Sequence, residues 1–125
     1  MTPSQTLRAA IGSGWLRAAA VVCVFLIAFL SLIPGRWQER TTLPGPLEHF
    51  GAYLITAMIV GIATRRRRNP LFIAVALTTV AAVLEVLQFW SPGRDPQFVG
   101  FGGSAAGAFT GALLANWIRP QRSPD

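Results

Sequence analysis

The chain has 125 residues, 52% of them hydrophobic and 13% charged, with a net charge of +6 in which every basic residue is Arg. Soluble domains carry charge on roughly 25% of residues, and a soluble chain this short could not bury several membrane-length apolar segments in one core. In a soluble protein the basic balance would suggest nucleic acid; here the Arg residues flank apolar runs, so no nucleic-acid partner is expected.

Four uncharged stretches cover 18–35, 49–64, 69–84 and 96–118, and apolar sequence resumes after Glu85 as far as Trp90. A hydrocarbon core of roughly 30 Å needs about 20 mostly apolar residues in a helix. The reading is an all-α membrane protein, a single domain forming a four-transmembrane-helix bundle. Its spans are expected near 17–34, 47–64, 70–90 and 98–118. The first span follows Arg8 and Arg17, as a signal peptide would. It runs into Ser31-Leu32-Ile33-Pro34-Gly35-Arg36 with no small-x-small cleavage pattern, so it is expected to be retained. Cys23, the only cysteine, lies mid-span among Val22, Val24 and Phe25 and reads as a small packing residue. No intrachain disulfide is possible.

Pro44-Gly45-Pro46 stiffens the approach to the second span. That span ends at the run Arg65 to Arg68. Asn69-Pro70 opens the third, with Pro in the first turn, where its missing N–H costs little. Ser91-Pro92-Gly93 stops it. The fourth span enters near Phe98 and leaves at Trp117. Trp15, Trp37, Trp90 and Trp117 all lie near span ends, where indole favours the interface.

Charge sets the expected orientation. Arg8, Arg17, the four Arg of 65–68, Arg119 and Arg122 fall on one side; Arg36, Arg40 and Arg94 fall on the other. By the positive-inside rule both termini are cytoplasmic. The Arg65–Arg68 run is a topology anchor that would also meet anionic lipid head groups.

This topology gathers scattered polar residues near the outer face. His49 and Tyr53 are spaced i, i+4 and Glu85 and Gln88 i, i+3, so each pair shares a helix face. Arg94 and Asp95 follow in the second outer loop, and Ser104 lies in the outer half of span four. An ionised Glu facing lipid is costly, so Glu85 should face the bundle or a wet cavity. Its expected partners are His49 and Arg94, the latter folding back as a bidentate pair. The plainer alternatives are a structural ion pair for Glu85, an interhelical hydrogen bond for Gln88, a satisfied interfacial ring for His49, and packing with a tethered hydroxyl for Tyr53.

Span four carries Gly103, Gly107 and Gly111 at intervals of four, a small-residue surface for close helix packing. Its partner is span three or another copy of the chain. No phosphate-binding glycine pattern follows a strand. One His, one nearby Glu and no usable Cys fall short of a zinc site, so no metal or cofactor is expected. A Ser104–His49–Glu85 triad is a weak reading, since a triad is defined by geometry.

Together these residues resemble the VanZ-like family of small membrane proteins. The resemblance rests on His49-Phe50 with Tyr53, then Glu85-Val86-Leu87-Gln88-Phe89, Pro92-Gly93-Arg94 and Gly107, and spans roughly 45–111. The Glu-x-x-Gln followed by Pro-Gly-Arg is its most specific part. The family commonly has an Asp-Lys pair where this chain has Gly45-Pro46, and an Asp and an Asn where it has Gly100 and Ser104. The resemblance implies a bacterial cytoplasmic (inner) membrane protein with a role at the cell envelope; the family takes its name from a protein associated with resistance to the glycopeptide teicoplanin, and most members have no established activity.

Two functions follow as expectations. The first is an outward-facing polar cluster of His49, Tyr53, Glu85, Gln88, Arg94 and Ser104 that binds a lipid-linked or cell-wall component, with Glu85 and Arg94 orienting the ligand. The second is a structural or accessory subunit, or a homo-oligomer, in which the glycine stripe docks a partner membrane protein. A small transporter is disfavoured because no broken helix is evident. Catalysis is not expected, since no nucleophile or metal set is complete.

Overall fold

The computed structural model describes residues 2–37, 42–64 and 69–118, and of 5–13 the backbone alone. The Arg65–Arg68 run, Arg40, Arg119 and Arg122 lie outside the described residues. Among those described, the chain is all-helical with no strand. The elements are α1 (Pro3–Leu32), a 3-10 turn at Gly35–Trp37, α2 (Gly45–Ala63), α3 (Pro70–Leu87), a 3-10 turn at Gln88–Trp90, and α4 (Phe98–Ile118). Four segments are long and apolar enough to cross a membrane: Gly14–Leu32, Gly45–Ala63, Pro70–Trp90 and Phe98–Ile118. At a rise of about 1.5 Å per residue each matches the hydrocarbon thickness.

The helix starts follow local chemistry. Asn69 caps α3, its side-chain oxygen accepting from the Leu71 N–H at 2.9 Å, and proline at the start of α2 and α3 removes a donor that would otherwise be unsatisfied. α1 begins at Pro3, well before the expected span. The turns before Gly14 continue the same helix rather than form a separate tail.

Packing is dominated by α2 against α4, with α3 against α4 next. The core is built of small residues, Ala57, Ala74, Ala81, Ala108 and Ala112, with Tyr53, Ile73 and Leu77 filling between them. Small side chains let the helices approach where no aqueous hydrophobic effect drives them together. The glycine stripe is the closest contact. A Cβ on Gly103 would lie 2.3 Å from the Pro46 carbonyl oxygen, one on Gly107 2.3 Å from that of Phe50, and one on Gly111 2.3 Å from that of Leu54. The stripe therefore packs within the chain, on α2. The expectation of span three or another copy is corrected: the backbone carbonyls of Pro46, Phe50 and Leu54 on α2 face the stripe.

α1 is the least embedded helix. Trp15, Phe25 and Phe29 are 75%, 71% and 64% exposed, and hydrogen bonds tie the C-terminal end of this helix to the segment from Gln88 to Arg94. Short connections make the helices run up and down. The C-terminal ends of α1 and α3 and the N-terminal ends of α2 and α4 meet at one end of the bundle, where His49, Glu85, Gln88, Arg94 and Asp95 lie.

Candidate functional site

Two Pro-Gly turns build this polar end. Pro34-Gly35 follows α1 and Pro92-Gly93 follows α3. The Gly35 N–H donates to the Pro92 carbonyl at 3.0 Å. A Cβ on Gly35 would sit 2.0 Å from the Gly93 carbonyl oxygen, and Gly93 has a φ of 73°, so each position requires glycine.

The docked turns aim α3 side chains at the end of α1. The last carbonyls of a helix lack intrahelical donors. Here Gln88 Nε2 donates to the Ser31 carbonyl at 3.1 Å, Ser91 Oγ to that of Leu32 at 2.9 Å, and Arg94 Nε to that of Ile33 at 3.0 Å. Arg94 also donates through Nη2 to the Leu30 carbonyl. Three side chains thus cap four consecutive carbonyls, and the Arg94 charge lies at the negative end of the α1 dipole.

Glu85 serves the opposite polarity. Its Oε1 accepts the Gln97 N–H at 2.5 Å, and the Gln97 carbonyl accepts the Phe101 N–H as α4 begins. A carboxylate at a helix N-terminus is favoured by the dipole. Glu85 was expected to bond His49 and Arg94; its described hydrogen bond goes instead to backbone, because an unpaired helix-end N–H lies closer. Glu85 and Arg94 nonetheless both lie near enough to His49 to act on it electrostatically.

α2 and α4 bring His49 and Ser104 together, flanked by the Gly103–Pro46 and Gly107–Phe50 contacts. Ser104 is 2% exposed and its Oγ lies 3.2 Å from His49 Nδ1. The same hydroxyl donates to the Gly100 carbonyl at 3.1 Å. A hydroxyl has one proton. With that proton on Gly100, a neutral His49 must donate from Nδ1 to Ser104, leaving Nε2 as an acceptor. A Cβ at Gly100 would lie 3.9 Å from Nε2, so the missing side chain leaves that nitrogen facing a notch.

Tyr53 lies one turn deeper along α2. It is 3% exposed and its ring belongs to the core, yet its hydroxyl makes no hydrogen bond among the described residues.

Two adjoining cavities connect these groups. One, of about 310 Å³, is polar and is lined by His49, Glu85, Gln88, Arg94, Asp95 and the Gly100 notch among others. The other, of about 590 Å³, lies between α1 and α2 with walls that include Ile27, Leu30, Leu43, Leu47 and Tyr53. His49, Glu48, Leu43 and Arg94 border both. All six polar positions singled out in the sequence thus lie at this end of the bundle. Ser91, Gln97 and Gly35 were not singled out; a Ser before Pro-Gly looks like any turn residue, and the other two act through backbone. Among the described residues no three His, Cys, Asp or Glu are grouped to hold a metal. The Ser104 hydroxyl is buried and bonded to backbone rather than presented as a nucleophile, and Glu85 bonds a backbone N–H, so a catalytic triad is not assembled. Comparison with protein-family models, with curated proteins and with solved structures gives no match.

Proposed function

We propose that this chain is a divergent VanZ-like protein of the bacterial inner membrane, whose polar cavity opens on the outer face and binds a lipid-linked or cell-wall component. One observation carries the reading: a polar cavity adjoins an apolar one between α1 and α2, with His49, Glu48, Leu43 and Arg94 on the walls of both. That pairing suits an amphiphile with a chain in the bilayer and a head group at its surface. The motif residues His49, Glu85, Gln88 and Arg94 all border the polar cavity. Orientation comes from the Arg asymmetry, which puts this end outside. The reading is of binding, since the Ser104 hydroxyl beside His49 is buried and bonded to the Gly100 carbonyl.

The test compares wild type with Glu85→Gln, purified in mild detergent and analysed by native mass spectrometry. Gln keeps the Oε1 that accepts from Gln97 and loses the charge, so the fold is retained. Wild type should carry a stoichiometric amphiphile that the variant loses. An empty wild type with a retained protein partner in both samples would overturn the reading in favour of an accessory subunit. Such a subunit would dock through α1, whose Phe25 and Phe29 are exposed, because the glycine stripe is already occupied by α2.

A further inference from the structure

His49 is fixed through one ring nitrogen and open at the other. Its described hydrogen bond is made by Nδ1, to the Ser104 hydroxyl at 3.2 Å, and that hydroxyl donates in turn to the Gly100 carbonyl. The neutral ring therefore carries its proton on Nδ1 and a lone pair on Nε2. Nε2 has no hydrogen-bond partner among the described residues. It lies where α4 lacks a side chain: a Cβ on Gly100 would stand 3.9 Å from both Nε2 and Cε1. His49 and Gly100 both line the polar cavity, whose volume of about 310 Å³ is enough for a small head group.

The charged groups of this cavity are met without a ligand. Arg94 caps α1 and has further partners, Glu85 accepts the Gln97 N–H, and Glu48 is partnered as well. Asp95 is exposed, where water meets its charge. A head group that needs a bare carboxylate or a bare guanidinium is poorly served here. A hydroxyl suits the wall better. It can donate to the imidazole lone pair and accept from amides such as those of Gln88 and Gln97, with no charge to desolvate.

We propose that His49 contacts the ligand of this cavity, its Nε2 accepting from a hydroxyl of a neutral sugar head group on a membrane lipid. Ser104 is the positioning residue that sets the tautomer, and the missing side chain at Gly100 is the opening beside the ring. This rests on the amphiphile-binding reading above and names the head-group class. A sugar presents several hydroxyls on one rigid ring, each a donor and an acceptor. It therefore fits a wall that mixes both roles without requiring that charged groups converge.

Two substitutions test the contact. Gly100→Ala brings a methyl to ordinary van der Waals distance of the ring, so α4 should fold with better helix propensity while the opening closes. His49→Phe keeps an aromatic ring and removes both nitrogens, and the Ser104 hydroxyl keeps its bond to Gly100. Delipidated protein in tetraethylene glycol monooctyl ether, a detergent without sugar, is titrated with monogalactosyl diacylglycerol, the same diacylglycerol without its sugar, phosphatidylethanolamine, phosphatidylglycerol and methyl galactoside. Native mass spectrometry reads the 1:1 adducts, and thermal unfolding is the folding control. The galactolipid should bind at least tenfold more tightly than the other four, and each variant should weaken it about tenfold or more, as loss of a hydrogen bond does. In the wild type the ¹⁵N signal of Nε2 should shift when the galactolipid binds, a readout that needs no variant. Ser104→Ala should weaken binding in step with the fraction of rings that lose the Nδ1 proton.

Equal or tighter binding of another lipid head group would overturn the sugar assignment and leave the amphiphile reading standing. Galactolipid binding that leaves the Nε2 signal unmoved, or that survives both variants, would overturn the contact with His49. Methyl galactoside bound as tightly as the galactolipid would overturn the amphiphile reading and leave the sugar contact. No saturable ligand among the five would overturn both.

Discussion

Arg94 does for α1 what a glycine cap does for many helices: it satisfies carbonyls that have run out of intrahelical donors. Charged hydrogen bonds of this kind are worth about 1.5–3 kcal/mol. Arg94→Ala should therefore destabilise the protein by about that amount, seen as a lower unfolding midpoint in detergent. Arg94→Lys should recover only part of it, since an ammonium keeps the charge but loses the planar fork. Unchanged stability in both would refute the cap. His49 offers a second check because it is the only histidine. ¹⁵N NMR of the neutral ring should show the proton on Nδ1, and Ser104→Ala should redistribute the two tautomers. A proton on Nε2 in the wild type would reverse the donor order at Ser104. Much about these residues could be read from spacing. Gln88 as an interhelical hydrogen bonder follows from its depth in an apolar run. The partner of Glu85 does not, because side-chain pairing rules say nothing of an unpaired backbone N–H that only folding brings near.

Along the helices, the glycine stripe of α4 shows what periodicity can and cannot tell. Spacing by four marks a close-packing face at once. It does not say which helix lies opposite, because glycine presents no shape for a particular partner; the answer, α2, comes from where Pro46, Phe50 and Leu54 put their carbonyls. Gly107→Ala would place a Cβ against the Phe50 oxygen, in backbone that cannot move aside cheaply. Overpacking of this sort costs about 1–3 kcal/mol. Gly102, five residues away on the same helix, faces open space. Gly102→Ala should be neutral or stabilising by up to about 1 kcal/mol through helix propensity alone. Thermal unfolding of the two variants side by side tests the assignment; equal effects would mean that α2 and α4 are not in contact through this face. Loss of the packing at Gly107 should also separate His49 from Ser104, linking a stability change to the tautomer measured at His49.

For the bundle as a unit, four long apolar runs with proline, glycine and Arg between them made the helix number and order legible, since a helix satisfies its own backbone groups in lipid. The docking of Pro34-Gly35 on Pro92-Gly93 was not legible. Each dipeptide read only as the end of its own span, yet their contact sets where Arg94 and Gln88 reach α1. The proposed envelope role depends on the side of the membrane to which this polar end is exposed. Asp95 is exposed, lies at the cavity wall and is suited to report it. In a Cys23→Ala background, Asp95→Cys in intact cells should react with a membrane-impermeant maleimide without permeabilisation. Labelling only after the membrane is opened would put the cavity on the cytoplasmic side and contradict an outward-facing binding site.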